Sequence, residues 1–292
     1  MNKQKSFKSG TQKGTLYLVP TPIGNLEDMT FRGVKTLEQV DLIASEDTRN
    51  TQKLLNHFDI KVPQISLHEH NYKEKIPTLL AKLEQGINMA QVSDAGMPSI
   101  SDPGHELVLA CIEEEIPVVA LPGATAGMTA LIASGLTAEP FTFVGFLPRK
   151  KKEQKQALEN YLYHQETLIF YESPYRVRAT LINMLEIFGE SRQVVVAREL
   201  TKIHEEYLRG TLEELVNYLS DHELKGECVI LLQGSSQLLA KKDNEWLDLT
   251  ISQHVEQFIK EENLTSKEAI KKVAKIRGVK KQEVYSQYHG IN

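Results

Sequence analysis

The sequence predicts an α/β fold built on a parallel sheet. Between residues 15 and 146, short apolar runs alternate with amphipathic helical segments, which is the pattern of parallel strands joined by covering helices. Most of these runs end in small or polar residues, as strands do where an open sheet faces a ligand crevice. A chain of 292 residues also suits two compact domains and an appendage better than one small core.

The composition is that of an ordinary globular protein, with 41% hydrophobic and 25% charged residues. A net charge of -5 does not indicate a nucleic-acid binder as a whole, but both ends are basic. Residues 1–13 contain four lysines and no acid, and residues 264–292 contain seven Lys or Arg against two Glu. We expect residues 1–13 to form a flexible basic tail.

The two cysteines, Cys111 and Cys228, give neither a disulfide framework nor a metal-ligand spacing, which favours the reducing cytoplasm. No apolar segment follows the first lysines, so we expect no secretory signal. No run approaches the roughly 18 apolar residues of a membrane span, so we expect no membrane association.

The first predicted strand, residues 15–19, opens into a proline-stiffened loop at 20–25. This loop lacks the Gly-x-Gly-x-x-Gly pattern, so a dinucleotide site is not expected. A second strand at 40–45 is followed by the polar residues 46–49. Asp47 suits the N-cap of the next helix, which leaves its three neighbours unexplained.

A third strand, residues 65–67, leads into His68 and His70. Two such histidines could share one face of an extended segment, but no third ligand stands at a recognisable spacing. We therefore expect a polar loop without a metal.

The fourth strand, residues 87–92, ends in the segment 93–104, which is rich in small residues. Asp102 and Pro103 suit the N-cap and first position of a helix. The remaining residues 94–98 indicate a place where a ligand lies against bare backbone. A fifth strand at 117–121 again ends in small residues, and residues 141–146 are expected to close the first sheet.

Because parallel strands end at one edge of a sheet, these loops should line a single crevice. We expect this crevice to be formed by residues 20–25, 46–49, 68–71, 94–98 and 123–126.

The composition changes sharply at residues 147–155, which predicts an N-terminal α/β domain over 14–147 and a C-terminal α/β domain over 148–235. The basic run at 149–152 suits either a solvated linker or contact with a polyanion. Thr211 and Glu214 predict a capping box in the second domain. Residues 250–292 have helix-turn-helix proportions, which suit an ordinary packing module or a nucleic-acid reader.

The residues give no support to nucleophilic catalysis or to a phosphate-binding loop. The crevice suits a mid-sized, partly apolar ligand that is bound through main-chain groups. A sulfonium methyl donor, a nucleoside and a sugar all remain open at this point.

Seven motifs, in order, resemble those of one family: TLYLVPTPIGN at 15–25, SEDTR at 45–49, SLHEHN at 66–71, VSDAGMPSISDPG at 92–104, LPGATA at 121–126, FYESPYR at 170–176 and RELTK at 198–202. This family is the bacterial 16S ribosomal RNA 2'-O-ribose cytidine methyltransferases, a branch of the tetrapyrrole methylase superfamily. The terminal module is also similar to the helix-turn-helix segment of that family. Met97 and the Ala124-Thr125 pair depart from its usual pattern.

The resemblance implies two α/β domains of the tetrapyrrole methylase type, with S-adenosylmethionine folded in the cleft between them. It also implies a homodimer and a cytidine ribose in the decoding region of the 16S ribosomal RNA, in the small ribosomal subunit, as methyl acceptor. Carried over by position, the residues that would contact the cofactor are Pro20, Asp94, Ala95, Gly96, Met97, Thr125, Ala126, Tyr171 and Glu227.

Methyl transfer to a hydroxyl needs near-attack geometry and a group that accepts the proton. The candidate bases on the expected rim are Glu46, Asp47, His70 and Glu172. The candidate RNA contacts are Arg49, Arg149, Lys150, Lys151, Lys152, Arg176 and Arg198, although each arginine could equally form a structural ion pair. The alternative functions are methylation of a tetrapyrrole and a non-catalytic role in RNA binding or assembly.

Overall fold

The computed structural model describes residues 3–5, 12–100, 104–236, 249–262 and 264–290. The chain divides into two compact units, residues 1–234 and 235–292. The described residues of the first unit form two five-stranded sheets. Among the helices of the described ranges, none has both the length and the apolar character needed to cross a bilayer.

The first sheet is parallel throughout, as predicted, with the strand order β3-β2-β4-β1-β5. Its strands are β1 (Leu16–Leu18), β2 (Leu42–Ser45), β3 (Gln64–Ser66), β4 (Met89–Val92) and β5 (Val118–Ala120). A short 3-10 turn lies at Leu26–Asp28, and the helices are α1 (Phe31–Gln39), α2 (Thr48–His57), α3 (Tyr72–Glu84), α4 (Gly104–Glu113) and α5 (Ala126–Ser134). The central strand β4 is buried along its whole length, which its uncharged sequence allows.

The second sheet has the order β6-β7-β10-β8-β9, and its strands are antiparallel except for the β6–β7 pair. Its strands are β6 (Phe141–Phe146), β7 (Thr167–Glu172), β8 (Gln193–Arg198), β9 (Glu206–Thr211) and β10 (Cys228–Leu232). The helices of this part are α6 (Lys151–Glu159), α7 (Pro174–Phe188) and α8 (Leu212–Tyr218).

The prediction that residues 141–146 close the first sheet is wrong, because β6 pairs with β7 in the second sheet. The chain passes from the first sheet to the second before residue 141, because α5 already packs on β7, β8 and β10 through Ala130 and Leu131. The second sheet therefore begins before the domain boundary predicted at residue 148. Strand β9 was not predicted at all, because its half-buried, charged sequence is that of an edge strand.

Local signals for helix ends are confirmed. The Asp47 side chain accepts a hydrogen bond from the Arg49 backbone N–H at the start of α2. Thr211 and Glu214 form the predicted reciprocal capping box of α8. The predicted cap at Asp102 lies outside the described residues.

Part of the predicted N-terminal tail contacts the first sheet. The Gln4 amide donates to the Val118 backbone oxygen at 2.7 Å and accepts from the Val118 N–H at 2.9 Å. Gln4 therefore adds hydrogen bonds at the edge strand β5, where a freely mobile tail was expected.

The second unit has its own apolar core. Its described helices are α9 (Ile251–Glu262), α10 (Ser266–Arg277) and α11 (Lys281–His289). Val255, Ile270, Val273 and Val284 are each at most 2% exposed, so the three helices pack around one another. Gly278 ends α10 in the left-handed conformation.

Candidate active site

A cavity of about 700 Å³ lies in the first unit, where the loops that follow the strands of the first sheet meet the second sheet. Cavities of this size hold mid-sized organic ligands. One wall comes from the loops after β1, β2 and β4, another from the start of α5, and the third from the second sheet and its loops. Apolar side chains form much of the lining, among them Ile23, Met128, Ile169, Leu200 and Val229.

The cavity brings together most of the residues predicted to contact the cofactor. These are Ala95, Gly96, Met97, Thr125, Ala126, Tyr171 and Glu227. Pro20 and Asp94 are not part of the lining.

Pro20 supports the loops that line the cavity. It is buried and packs so closely on Gly123 that a Cβ at Gly123 would lie 2.5 Å from the Cβ of Pro20. The next residue, Thr21, exchanges two backbone hydrogen bonds of 3.0 Å with Gly96. Gly96 has a φ of +79°, which a residue with a side chain adopts only with strain. These contacts fix the backbone that a ligand would touch.

Asp94 joins two loops of the rim instead of lining the cavity. Its carboxylate accepts the Asp47 backbone N–H at 3.2 Å and the Asn50 side-chain amide at 3.1 Å. Its own backbone N–H donates to Glu46 Oε2 at 3.2 Å. Asp94 therefore positions Glu46, which does line the cavity, relative to the loop after β4.

An aromatic wall covers the side of the second sheet. The ring centroids of Phe143 and Phe146 lie 5.0 and 5.6 Å from that of Tyr171, with interplanar angles of 72° and 67°. The Tyr171 hydroxyl accepts the Gly127 backbone N–H at 3.1 Å. Phe143 and Phe146 were not among the predicted site residues, because their strand was expected in the first sheet. Aromatic residues at two-residue spacing, Phe141 and Phe143, were the available signal.

Of the four candidate bases, Glu46 and Glu172 line the cavity, whereas Asp47 and His70 do not. A hydrogen bond from the Arg49 side chain is the largest cause that lowers the pKa of Asp47 to about 2. A carboxylate that gives up its proton so readily is a poor proton acceptor. His70 is exposed, and its backbone N–H donates to His68 Nδ1 at 3.3 Å.

Glu172 is 4% exposed, and both of its oxygens accept hydrogen bonds. Oε1 accepts the Ser173 backbone N–H at 2.9 Å and lies 3.4 Å from Arg176 Nη1, while Oε2 accepts the Thr180 hydroxyl at 2.7 Å. Every one of these partners is a donor, which suits an ionised carboxylate. The Glu172 carboxylate is therefore held in one orientation at the cavity wall.

A buried polar network continues behind Glu172. The Gln154 amide donates to the Thr180 hydroxyl at 3.1 Å, and the Asn183 amide donates to Gln154 Oε1 at 2.5 Å. Gln154, Thr180 and Asn183 are each at most 4% exposed. The network thus connects α6 and α7 to the carboxylate that faces the cavity.

Three of the four arginines predicted to contact RNA form intramolecular ion pairs. Arg49 lies 2.8 Å from Asp47, and Arg198 lies 2.5 Å from Glu206. Arg176 contacts Glu172 and also donates to the Pro148 backbone oxygen at 3.0 Å. The structure thus favours the ion-pair alternative for these three arginines.

The basic segment 149–152 is exposed along its whole length. Lys150 lies 3.1 Å from Glu153, and Lys151 lies 3.6 Å from Glu186. Exposed pairs of this kind contribute little to stability.

Glu227 lines the cavity and also belongs to a charged cluster behind it. Lys202 Nζ lies 3.0 Å from Glu227 and 2.9 Å from Glu199. Chiefly through its hydrogen bond, Lys202 holds the pKa of Glu199 below its usual value. The cluster fixes the loop after β8 to the start of β10.

The two cysteines are not suited to nucleophilic catalysis. Burial raises the pKa of Cys228, which lines the cavity, and that of Cys111 to about 12, so neither is an activated nucleophile. Within the described ranges, no group of three or more His, Cys, Asp or Glu side chains could hold a metal ion.

Comparison with known proteins identifies the scaffold. Residues 15–216 match the family described as Tetrapyrrole (Corrin/Porphyrin) Methylases. The chain belongs to the tetrapyrrole methylase family. The membership expected from the sequence motifs is confirmed.

Among curated relatives of this tetrapyrrole methylase, the protein named Ribosomal RNA small subunit methyltransferase I from Streptococcus pyogenes serotype M1 is 54% identical, with 100% of both chains covered. Proteins of the same name from Halalkalibacterium halodurans and Bacillus subtilis are 52% and 49% identical, with 99% of both chains covered in each case. The resemblance to ribosomal RNA methyltransferases therefore extends over the full chain, including the terminal helices.

Solved structures support the fold of this tetrapyrrole methylase. A cobalt precorrin-4 methyltransferase is 19% identical with a TM-score of 0.56, and the match covers 75% of this chain and 94% of that one. A uroporphyrin-III C-methyltransferase from Thermus thermophilus, complexed with S-adenosyl homocysteine, is 18% identical with a TM-score of 0.56, covering 75% and 97%. The predicted α/β architecture of the superfamily is confirmed.

Proposed function

We propose that this protein transfers the methyl group of S-adenosylmethionine to the ribose 2'-hydroxyl of a cytidine in 16S ribosomal RNA. The observation that carries the proposal is the match, at 49–54% identity along the whole chain, to relatives named as small-subunit ribosomal RNA methyltransferases. Methyl transfer as the reaction class follows from membership of the methylase family.

The cavity fits the cofactor chemically. Small residues at Ala95, Gly96 and Ala126 leave main-chain groups accessible to a ligand, and the rings of Phe143 and Tyr171 offer apolar contact. Aromatic faces also attract cations, and the methyl donor carries its positive charge on sulfur. S-adenosylmethionine would supply an activated methyl group, and the protein would hold it against the acceptor oxygen.

Glu46 and Glu172 are the bases that the geometry supports. Both line the cavity, and Glu172 is fixed by donors on both oxygens. A carboxylate in this position can accept the hydroxyl proton as the oxygen attacks, which contributes roughly 10²- to 10⁴-fold to a rate. Replacing each glutamate by glutamine and comparing kcat at saturating cofactor distinguishes the two.

We further propose that the protein acts on the small ribosomal subunit, as a homodimer, in the cytoplasm. Leu109 and Ile112 on α4 are 46% and 45% exposed, which suits contact with a second copy. The unpaired, buried cysteines suit a reducing compartment. Light scattering of the purified protein tests the dimer.

The test of the reaction uses small subunits from cells that lack this gene and cofactor with a tritiated methyl group. Label is expected in 16S RNA, and nuclease digestion is expected to release it as 2'-O-methylcytidine. Label on a base, or none in RNA, would refute the proposed acceptor.

The runner-up function is methylation of a tetrapyrrole, which the solved structures favour by fold. A parallel incubation with uroporphyrinogen III tests it, and label in the macrocycle alone would support that alternative.

A further inference from the structure

Phe146 is an exposed aromatic residue at the edge of the cavity. It ends β6 and lines the cavity, yet 63% of its surface is open to solvent. It lies beside Tyr171 in the β6–β7 register, and the edge-on contact of the two rings fixes its orientation. Phe141 and Phe143 on the same strand are 39% and 38% exposed and also line the cavity, so Phe146 is part of a larger exposed apolar surface, which indicates an interaction site.

A second exposed aromatic residue, Tyr175, lies at the same end of the second sheet. It belongs to the first turn of α7, directly after the cavity residues Ser173 and Pro174, and is 91% exposed. Its neighbour Arg176 donates to the Pro148 backbone oxygen, two residues beyond Phe146. This hydrogen bond ties the start of α7 to the turn that follows β6. We call Phe146 and Tyr175 the aromatic edge.

The basic segment 149–152 begins three residues after Phe146. The side chains of Lys150 and Lys151 are 80% and 66% exposed. The aromatic edge and this cationic segment are therefore adjacent parts of one surface beside the cavity. Stacking aromatics next to a positive track are the chemistry that binds single-stranded nucleic acid.

We infer that the aromatic edge stacks on an unpaired nucleobase of the RNA, with Phe146 as the main platform, while residues 149–152 bind the adjoining phosphates. This inference rests on the proposed RNA substrate and adds how it is held. A ribose hydroxyl enters the cavity most readily when its nucleotide is unpaired, because the base can then be splayed out of the stack. Stacking on Phe146 stabilises that base in its new position.

The experiment compares Phe146→Ala with Phe146→Trp, which retains an aromatic face, and with Phe31→Ala. Phe31 is a matched control because it is 98% exposed on α1 and does not line the cavity. Binding is measured by fluorescence anisotropy with a fluorescein-labelled, single-stranded cytidine-containing RNA oligonucleotide. S-adenosyl homocysteine affinity is measured in parallel by calorimetry.

Phe146→Ala is expected to weaken RNA binding roughly 10- to 100-fold, as the loss of one stacked base does. The slope of log Kd against log salt stays unchanged, because stacking releases no counterion. Phe146→Trp and Phe31→Ala bind RNA like wild type. In the same complex, a pyrrolo-cytosine at the target position is quenched by wild type and not by Phe146→Ala.

RNA affinity of Phe146→Ala within twofold of wild type overturns the inference. A change in its oligomeric state by light scattering also overturns it, because Phe146 would then contact a second copy. A loss of S-adenosyl homocysteine binding equal to the loss of RNA binding assigns Phe146 to the cofactor pocket and likewise refutes it. If wild type binds RNA through Phe146 but transfers no methyl group, the proposed reaction fails and the stacking inference stands.

Discussion

The buried network behind Glu172 gives the sharpest test of how the cavity wall is held. Thr180→Val keeps the shape of the side chain and removes its hydroxyl. Glu172 Oε2 then loses its donor at 2.7 Å, and the Gln154 amide loses its acceptor at 3.1 Å and keeps only the longer contact of 3.5 Å to the Pro148 backbone oxygen. Both groups stay buried, so water does not replace the lost partner.

The magnitude follows from these two contacts. A hydrogen bond to a charged group contributes roughly 1.5–3 kcal/mol, and a neutral one about 1 kcal/mol. The free energy of unfolding is therefore expected to fall by roughly 2–4 kcal/mol. Thr180→Ser keeps the hydroxyl and removes one buried methyl group, so its free energy of unfolding is expected to fall by about 1 kcal/mol.

Urea denaturation followed by circular dichroism measures these differences. The matched control is Thr142→Val, because the Thr142 hydroxyl donates to Glu166 at 2.9 Å and the Glu166 side chain is 25% exposed. The free energy of unfolding of Thr142→Val is expected to fall by less than about 1 kcal/mol, since water can reach the Glu166 carboxylate. A Thr180→Val protein within about 0.5 kcal/mol of wild type would refute the view that the hydroxyl secures Glu172.

Three further predictions concern the rim, the basic segment and the terminal unit. Asp94→Ala is expected to weaken S-adenosyl homocysteine binding roughly 10-fold in calorimetry, because two hydrogen bonds between rim loops are lost; unchanged affinity would contradict this. Replacing the lysines of 150–152 by glutamine is expected to lower the slope of log Kd against log salt for RNA binding by about 2. An unchanged slope would show that this segment does not contact the RNA. Burial and the charge of Arg277 lower the pKa of His254, so the unfolded chain binds a proton near pH 6.5 that the folded unit excludes. Hydrogen-exchange protection of α9 and α10, corrected for intrinsic rates, should therefore fall as pH drops below about 6.5, and His254→Gln should abolish that fall.

The sequence was informative wherever a local rule applies. Small residues after strands marked the loops that line the cavity, and Asp47 was recognised as a cap because capping depends on near neighbours.

Contacts between distant segments were not predictable in this way. The sheet to which β6 belongs is decided by pairing with β7, more than twenty residues later, so the aromatic wall stayed hidden. The polar network behind Glu172 likewise joins Gln154 of α6 to Asn183 of α7. No spacing rule in the sequence connects these positions.

The central claim, that the cavity binds the methyl donor, is tested most directly by filling it. Ala126→Trp places a large ring in the cavity, whereas Ile132→Trp places the same ring on the exposed side of α5, where Ile132 is 77% exposed. Calorimetry with S-adenosyl homocysteine should detect binding to wild type and Ile132→Trp and none to a folded Ala126→Trp protein. Equal affinity of all three proteins would place the methyl donor elsewhere and contradict the account.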